Sequence, residues 1–396
     1  MTRAKRALLA LLVGLSLGLA SIEALFRAMG VGFEESMRPD PYTGWSLQPN
    51  AAHWDQSAHQ FQQINSDGLR DVEHHRAKLA GTWRLAVLGD SFTQGREAKL
   101  EEIFPRVLEG RLRDCRALAG RRPEVVNFGV AGYGTAQELL TLQHRVWDYH
   151  PDAILLAFYD GNDVADNHPR LASDSDYRPF FSFGDDGRLS ADFRFRDSAR
   201  YHFETSKLGG LHTRLKRHLR VWQVASRALL LLELRWSRPE YRTVHSRELG
   251  VVPGALAPPR DAVWEEAWRM TEGILLLMRD ETRAHGARLF VFTVSAPIQV
   301  DPDPRQRHAE AERLGVPDLL YPERRLAEFA ARSHITFFPL IEPMQQVSER
   351  DHVYLHGLAE SGLEFQHWNG RGHALAAELL EQRICEDLGV QVGSTP

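Results

Sequence analysis

Cysteine is nearly absent from this chain: 396 residues contain two, Cys115 and Cys385. Two cannot build a disulfide scaffold, and neither lies in a CxxC or a Cys/His cluster that would hold zinc. Strong charge of one sign is also missing. The formal net charge of −5 is small for this length. A domain that reads phosphates needs a concentrated basic surface, so nucleic acid is set aside as the main partner. No low-complexity run or fixed-period repeat occurs, which excludes solenoids and propellers. The turn GDSFTQG lacks the glycine spacing of GxGxxG and the GK[ST] ending of a phosphate loop, and Gly132-Tyr133-Gly134 is too short for either. No cofactor and no metal are expected. What remains is globular composition, with 43% hydrophobic and 26% charged residues.

The N-terminus carries a targeting pattern. Arg3, Lys5 and Arg6 precede an uncharged run, residues 7–22, which Glu23 closes. Sixteen helical residues rise about 24 Å, slightly short of a ~30 Å hydrocarbon core and slightly long for a cleavable signal core. Gly18-Leu19-Ala20 offers a weak cleavage site. Residues 1–30 therefore read as a signal anchor or a signal peptide. Positive charge ahead of the run keeps the start in the cytoplasm and sends the rest across. The bulk of the chain is expected outside the cytoplasm, periplasmic or extracellular, and tied to the membrane if the segment stays.

Residues 31–82 are polar and turn-rich, an extended lead-in with a short strand near 59–65. From Trp83 the character changes. WRLAVLGDS is a short apolar run suited to a strand covered on both faces. EVVNFG, AILLAFYD, ARLFVFTVS and ITFFPL repeat the pattern. Between or after them, helical spacing marks residues 104–118, 135–149, 263–285, 321–333 and 370–388. Strand–helix alternation implies right-handed crossovers and a parallel sheet. The expectation is a five-stranded, three-layer α/β sandwich over residues 83–396. One interval, about 164–262, interrupts the rhythm as an insertion. Within it residues 208–234 are apolar at helical intervals and carry Arg214, Lys216, Arg217, Arg220 and Arg227, with Lys207 just ahead. That stretch is a helical subdomain with a solvated basic face, a cap over the site, or a surface resting on anionic lipid.

Ligands of open α/β sheets bind at the carboxyl ends of the strands. The loops there hold complementary groups. Gly89-Asp90-Ser91 places a hydroxyl on a tight turn at a helix N-terminus. Asn127-Phe128-Gly129-Val130-Ala131-Gly132 lets backbone N–H groups come close to a ligand. Asp160-Gly161-Asn162-Asp163 supplies an amide. His367-Trp368-Asn369-Gly370-Arg371-Gly372-His373 supplies a base ahead of the last helix. Acyl transfer needs this set: a serine, a histidine to take its proton, and donors for the oxyanion. His367, in the loop, is preferred to His373, which lies about a turn into the helix. Asp90 and Asp163 read as loop-holding residues.

In chain order these blocks resemble the SGNH hydrolase superfamily, the GDSL esterases. GDSFTQG is similar to the first block, NFGVAG to the second, DGND to the third and HWNGRGH to the last. The resemblance covers roughly residues 83–166 and 287–390 and implies a flavodoxin-like SGNH fold. It further implies Ser91 as nucleophile, His367 as base, and the Ser91 N–H, Gly132 and Asn162 as oxyanion donors. TGWSLQPN, INSDGLRD and the start of the chain also resemble membrane-anchored bacterial members. The family's last block has an aspartate three residues before the histidine, and here Glu364 stands there. Glu364 is the expected third member, with Asp351 a rival and a Ser–His dyad the remaining alternative.

The implied activity is an exported serine esterase acting on a small-molecule, glycan or lipid ester. Acyl transfer through the same acyl-enzyme is the alternative, and a non-catalytic envelope protein of the same fold is another. Topology adds one expectation. In a sheet of order 2-1-3-4-5 the first and last helices are neighbours and end at the same edge, so Cys115 and Cys385 fall within reach of a bridge.

Overall fold

A computed structural model of the chain describes residues 2–32, 36–55, 60–172, 175–237, 251–252, 254–357 and 367–392. Helix α1 (Arg3–Ala28) is followed by two antiparallel hairpins, β1 (Met37–Asp40) with β2 (Gly44–Leu47) and β3 (Ala52–Asp55) with β4 (Gln60–Gln63). The alternating part begins with β5 (Thr82–Leu88), α2 (Ser91–Gln94), α3 (Phe104–Leu112), β6 (Arg122–Asn127), α4 (Thr135–His144), β7 (Ala153–Tyr159) and α5 (Asp163–Asp166). The insertion holds a hairpin, β8 (Phe180–Phe183) with β9 (Leu189–Asp192), then α6 (Ala199–Thr205), α7 (Lys207–His218) and α8 (Arg220–Ser237). Alternation resumes with α9 (Ala262–Ala284), β10 (Arg288–Val294), α10 (Pro304–Leu314), α11 (Tyr321–Ser333), β11 (Thr336–Phe338), α12 (Ile341–Asp351) and α13 (Gly370–Val392).

The central sheet runs β6-β5-β7-β10-β11, with every neighbour parallel. Counted along the chain this is the order 2-1-3-4-5. Each of the seven residues of β5 and of β7 is buried, as a strand covered on both faces requires. Side chains alternate between two apolar layers. Trp83, Leu85 and Val87 join Phe104 and Leu108 of α3 and Leu380 and Ile384 of α13. Ala86 and Leu88 join Leu139 of α4 and Ile274 of α9. Arg84 is buried within β5, and its guanidinium donates to Glu124 at 2.8 and 3.0 Å and to the carbonyls of His75 and Arg76 at 2.8 Å. A buried charge is tolerable when paired in this way.

Several elements depart from the expectations. The lead-in is folded into hairpins. The helical spacing at 104–118 and 135–149 ends early, at Leu112 and His144, and each stretch continues as a 3₁₀ turn. The 208–234 stretch is two helices, because Leu219 is extended at φ −121° and ψ 113°. The last strand is only three residues long. Helices α10 and α12 escape a reading of hydrophobic period because they bury little apolar surface: α10 buries Ala311 and Leu314, α12 Ile341 and Met344. α3 and α13 pack together, and Cys115 and Cys385 are bonded across them with Cα atoms 5.8 Å apart.

Among the described residues α1 is the one helix long and apolar enough to cross a membrane, with mean hydropathy 2.1 over its best 18-residue window and no buried residue. A signal sequence passes the same test. At 1.5 Å per residue its 26 residues span about 39 Å.

Candidate active site

β5 ends at Leu88 and the chain turns sharply into α2, whose first residue is Ser91. Asp90 caps that helix by accepting the Phe92 N–H at 2.8 Å, which leaves the Ser91 side chain free of capping duty. His367, from the loop before α13, meets it: Nε2 lies 2.7 Å from Ser91 Oγ. Its other ring nitrogen, Nδ1, lies 2.7 Å from Glu97 Oε1. The imidazole also packs on Phe92, with ring centroids 4.8 Å apart.

Glu97 is thus the carboxylate on the histidine. Glu364 lies outside the described residues. Asp351 is at the exposed end of α12, paired with its neighbour Arg350 at 2.7 Å. His373 is buried in α13, where its Nδ1 accepts the Phe104 N–H at 3.3 Å. Burial pulls its ring down to about 3, so it stays neutral.

The loops after β6 and β7 flank the serine turn, because those strands lie on either side of β5. The β6 loop is locked to α2. Asn127 donates to Thr93 O at 2.9 Å and accepts from the Gly129 N–H at 2.9 Å, while Gln94 Oε1 accepts the Ala131 N–H at 2.8 Å. Gly129 is obligatory there, since a Cβ would sit 2.5 Å from Gln94 N. Gly132 is left-handed at φ +79°, and a Cβ would press on Trp45 at 3.3 Å. Trp45 comes from β2, and its Nε1 donates to Ala131 O at 3.0 Å. Arg178, from the insertion, donates to Gly132 O at 3.0 Å, pairs with Asp166 at 3.1 Å and lies over the Trp45 ring at 5.5 Å.

Asn162 precedes α5 and does not cap it, and its buried Oδ1 makes no hydrogen bond. Asp163 accepts the Tyr159 N–H at 2.8 Å, the loop-holding role expected of it. Beneath the serine turn, burial raises Glu138 and Asp163 well above the carboxylate range, and mutual repulsion with Asp90 adds to this. Burial also pushes Asp90 up to about 6, against the pull of His367.

Four residues around the site were not singled out from the sequence: Glu97 and Arg178, which stand in no motif, and Trp45 and Arg70, which lie within TGWSLQPN and INSDGLRD. Buried Arg70, in the lead-in, donates to the carbonyls of Gln94 and Gly95 at 2.8 Å and of Ala98 at 2.7 Å, so it holds the segment that bears Glu97.

No protein-family model and no curated protein matches the chain. Among solved structures it is similar to an acetyl xylan esterase, AlAXEase, at TM-score 0.38 and 11% identity, over 76% of this chain and 99% of that one. A catalytic mutant of Axe2, an acetylxylan esterase from Geobacillus stearothermophilus, matches at TM-score 0.38 and 13% identity, over 78% and 96%. A GDSL-like lipase from Bacteroides thetaiotaomicron matches at TM-score 0.32 and 11% identity, over 79% and 92%. These scores lie below 0.5, so the chain's own residues carry the functional reading.

Proposed function

We propose that this chain is an SGNH-type serine esterase, anchored or exported through α1, that hydrolyses an O-acyl ester of an envelope glycan or lipid. The observation that carries the reading is the continuous contact from Ser91 Oγ through His367 to Glu97. Serine is a poor nucleophile until a base takes its proton. His367 Nε2 accepts that proton as Oγ attacks the ester carbonyl. Glu97 accepts the Nδ1–H, which keeps Nε2 unprotonated for the task and stabilises the imidazolium that follows. The tetrahedral oxyanion takes hydrogen bonds from the N–H groups of Ser91 and Gly132 and from the Asn162 amide, each worth roughly 10²–10³ in rate. Collapse expels the alcohol, which leaves with the proton from His367. Water then attacks the acyl-serine by the same route.

Asn162 supports its assigned part because it stands directly ahead of α5 with no capping hydrogen bond on its side chain. Burial raises Glu138 and Asp163 well above the carboxylate range, which disfavours negative charge on those two groups near the oxyanion. Export is supported by Arg3, Lys5 and Arg6 ahead of the apolar run, and by the Cys115–Cys385 bridge, which persists in oxidising compartments.

The test uses the full chain in detergent. A fluorophosphonate probe should label the wild type and not Ser91→Ala, and p-nitrophenyl esters of graded chain length should be cleaved only by the wild type. Equal labelling of both proteins would overturn the assignment of Ser91.

A further inference from the structure

We propose that the outer faces of α7 and α8 rest on an anionic bilayer surface, holding the insertion flat against the membrane that α1 enters. The proposal rests on the reading of α1 as a membrane segment.

Glu23 and Arg27 lie at the end of α1 where its uncharged run stops, the level at which a spanning helix leaves hydrocarbon for headgroups. The insertion is tied to that level. Glu23 Oε2 accepts the Val221 N–H of α8 at 2.9 Å, and Arg27 donates to the His218 carbonyl at the end of α7 at 2.6 Å. The corner between α7 and α8 is therefore fixed beside the headgroup zone.

Both helices then turn apolar side chains outward. At 100° per residue Leu208 and Leu211 share one face of α7. Trp222, Leu229 and Leu232 share one face of α8. All five are exposed, Leu208 at 71% and Leu229 at 67%. Trp222, the least exposed of the five, also joins the helices: its Nε1 donates to His212 at 3.2 Å, and Gln223 donates to Lys216 O at 2.6 Å. Lys207 and Arg214 lie along one edge of the leucine face of α7, Arg217 lies further round, and the helix has no acidic residue. An apolar stripe edged by cations suits a helix lying in the plane of an anionic leaflet. Neither a cap over the active site nor a merely solvated face accounts for leucines turned outward beside the anchor.

The experiment keeps the full chain, in vesicles of phosphatidylcholine with and without phosphatidylglycerol. Nitroxide labels go on single cysteines at Leu211→Cys and Leu229→Cys, with Leu12→Cys on α1 and exposed Leu79→Cys as references. The native cysteines are bridged and do not compete. Relative to Leu79→Cys, labels at 211 and 229 should show oxygen contact raised and nickel-chelate contact lowered by about fivefold or more in phosphatidylglycerol vesicles. Lys207→Glu with Arg214→Glu and Arg217→Glu should return both labels to the aqueous pattern while Leu12→Cys stays buried in lipid. Labels at 211 and 229 that track Leu79→Cys, with Leu12→Cys in lipid, overturn the proposal and leave the anchor standing. Labels shielded from both reagents, in detergent as in vesicles, overturn it in favour of a cap. If Leu12→Cys itself tracks Leu79→Cys, the anchor reading fails and the proposal with it.

Discussion

Glu97 and His367 are 270 residues apart in the chain, and their carboxylate oxygen and ring Nδ1 are 2.7 Å apart in the fold. The carboxylate stands six residues after Ser91, on the same strand-end segment. The histidine is thus gripped from one side by the segment that also carries Ser91. Glu97→Gln should keep the fold but favour the wrong imidazole tautomer. The expected loss in kcat is about 10²–10⁴-fold, with KM little changed. Glu364→Gln and Asp351→Asn should stay within about threefold of wild type. Steady-state kinetics on p-nitrophenyl acetate would decide, and a loss at Glu364→Gln matching that at Glu97→Gln would move the third role to Glu364.

Gly132 stands at φ +79° with Trp45 against the space a Cβ would fill. Gly132→Ala costs about 1–2 kcal/mol of backbone strain and shifts the N–H assigned to the oxyanion. A fall in kcat of about 10²-fold with an unchanged far-UV spectrum is expected. An alanine variant of full activity would remove Gly132 from the oxyanion site.

The Cys115–Cys385 bridge closes a loop of 270 residues. In the chain-entropy model this is worth up to about 5 kcal/mol. Paired Cys115→Ser and Cys385→Ser substitution should lower the urea midpoint clearly, and reduction of the wild type should do the same. An unmoved midpoint would show that the bridge constrains nothing the packing of α3 on α13 does not already hold.

His74 fastens the lead-in to the sheet. Burial lowers its pKa, but hydrogen bonds to Asp71 and Glu124 outweigh this and push it up to about 9. Arg84 and Arg106 also face those carboxylates. A histidine raised in the folded state contributes stability that is fully present below its unfolded pKa near 6.5. That stability is lost as pH climbs through about 9, a contribution of up to ~3 kcal/mol. Urea midpoints of the wild type should therefore fall between pH 6.5 and 9, and His74→Gln should start lower and lack that part of the decline. Parallel pH curves for the two proteins would refute the linkage.

Much of the architecture is legible in local pattern. Runs such as TWRLAVL and AILLAFY have no polar face to show to water, so they belong in a sheet covered on both sides, and the helical stretches between them impose parallel crossovers. In the order 2-1-3-4-5 that the SGNH resemblance implies, the first and last helices are neighbours, which puts a Cys115–Cys385 bridge within reach, and the structure has that bridge. Ser91, Gly132, Asn162 and His367 stand on strand-end loops marked by short motifs, because a tight turn, a left-handed glycine and a helix-leading histidine each need particular residues nearby in sequence.

Other features have no local signature. The partner of His367 is set by where two loops meet in space, and an acidic residue in Arg96-Glu97-Ala98 looks like any other surface glutamate. Trp45 and Arg178 reach Gly132 from segments that no strand–helix rhythm places. Leu219 breaks the 208–234 stretch although its neighbours keep helical spacing, and the Val221 N–H donated to Glu23 and the Arg27 bond to the His218 carbonyl fix the break beside α1. Sequence by itself determined the strands, their parallel pairing and the loops that bear Ser91 and His367, since period, turn chemistry and chain connectivity are local, while the strand order was implied by the SGNH resemblance. Only the tertiary structure decided which carboxylate orients the histidine and which segments wall the site, since those contacts join residues whose separation along the chain says nothing of their distance.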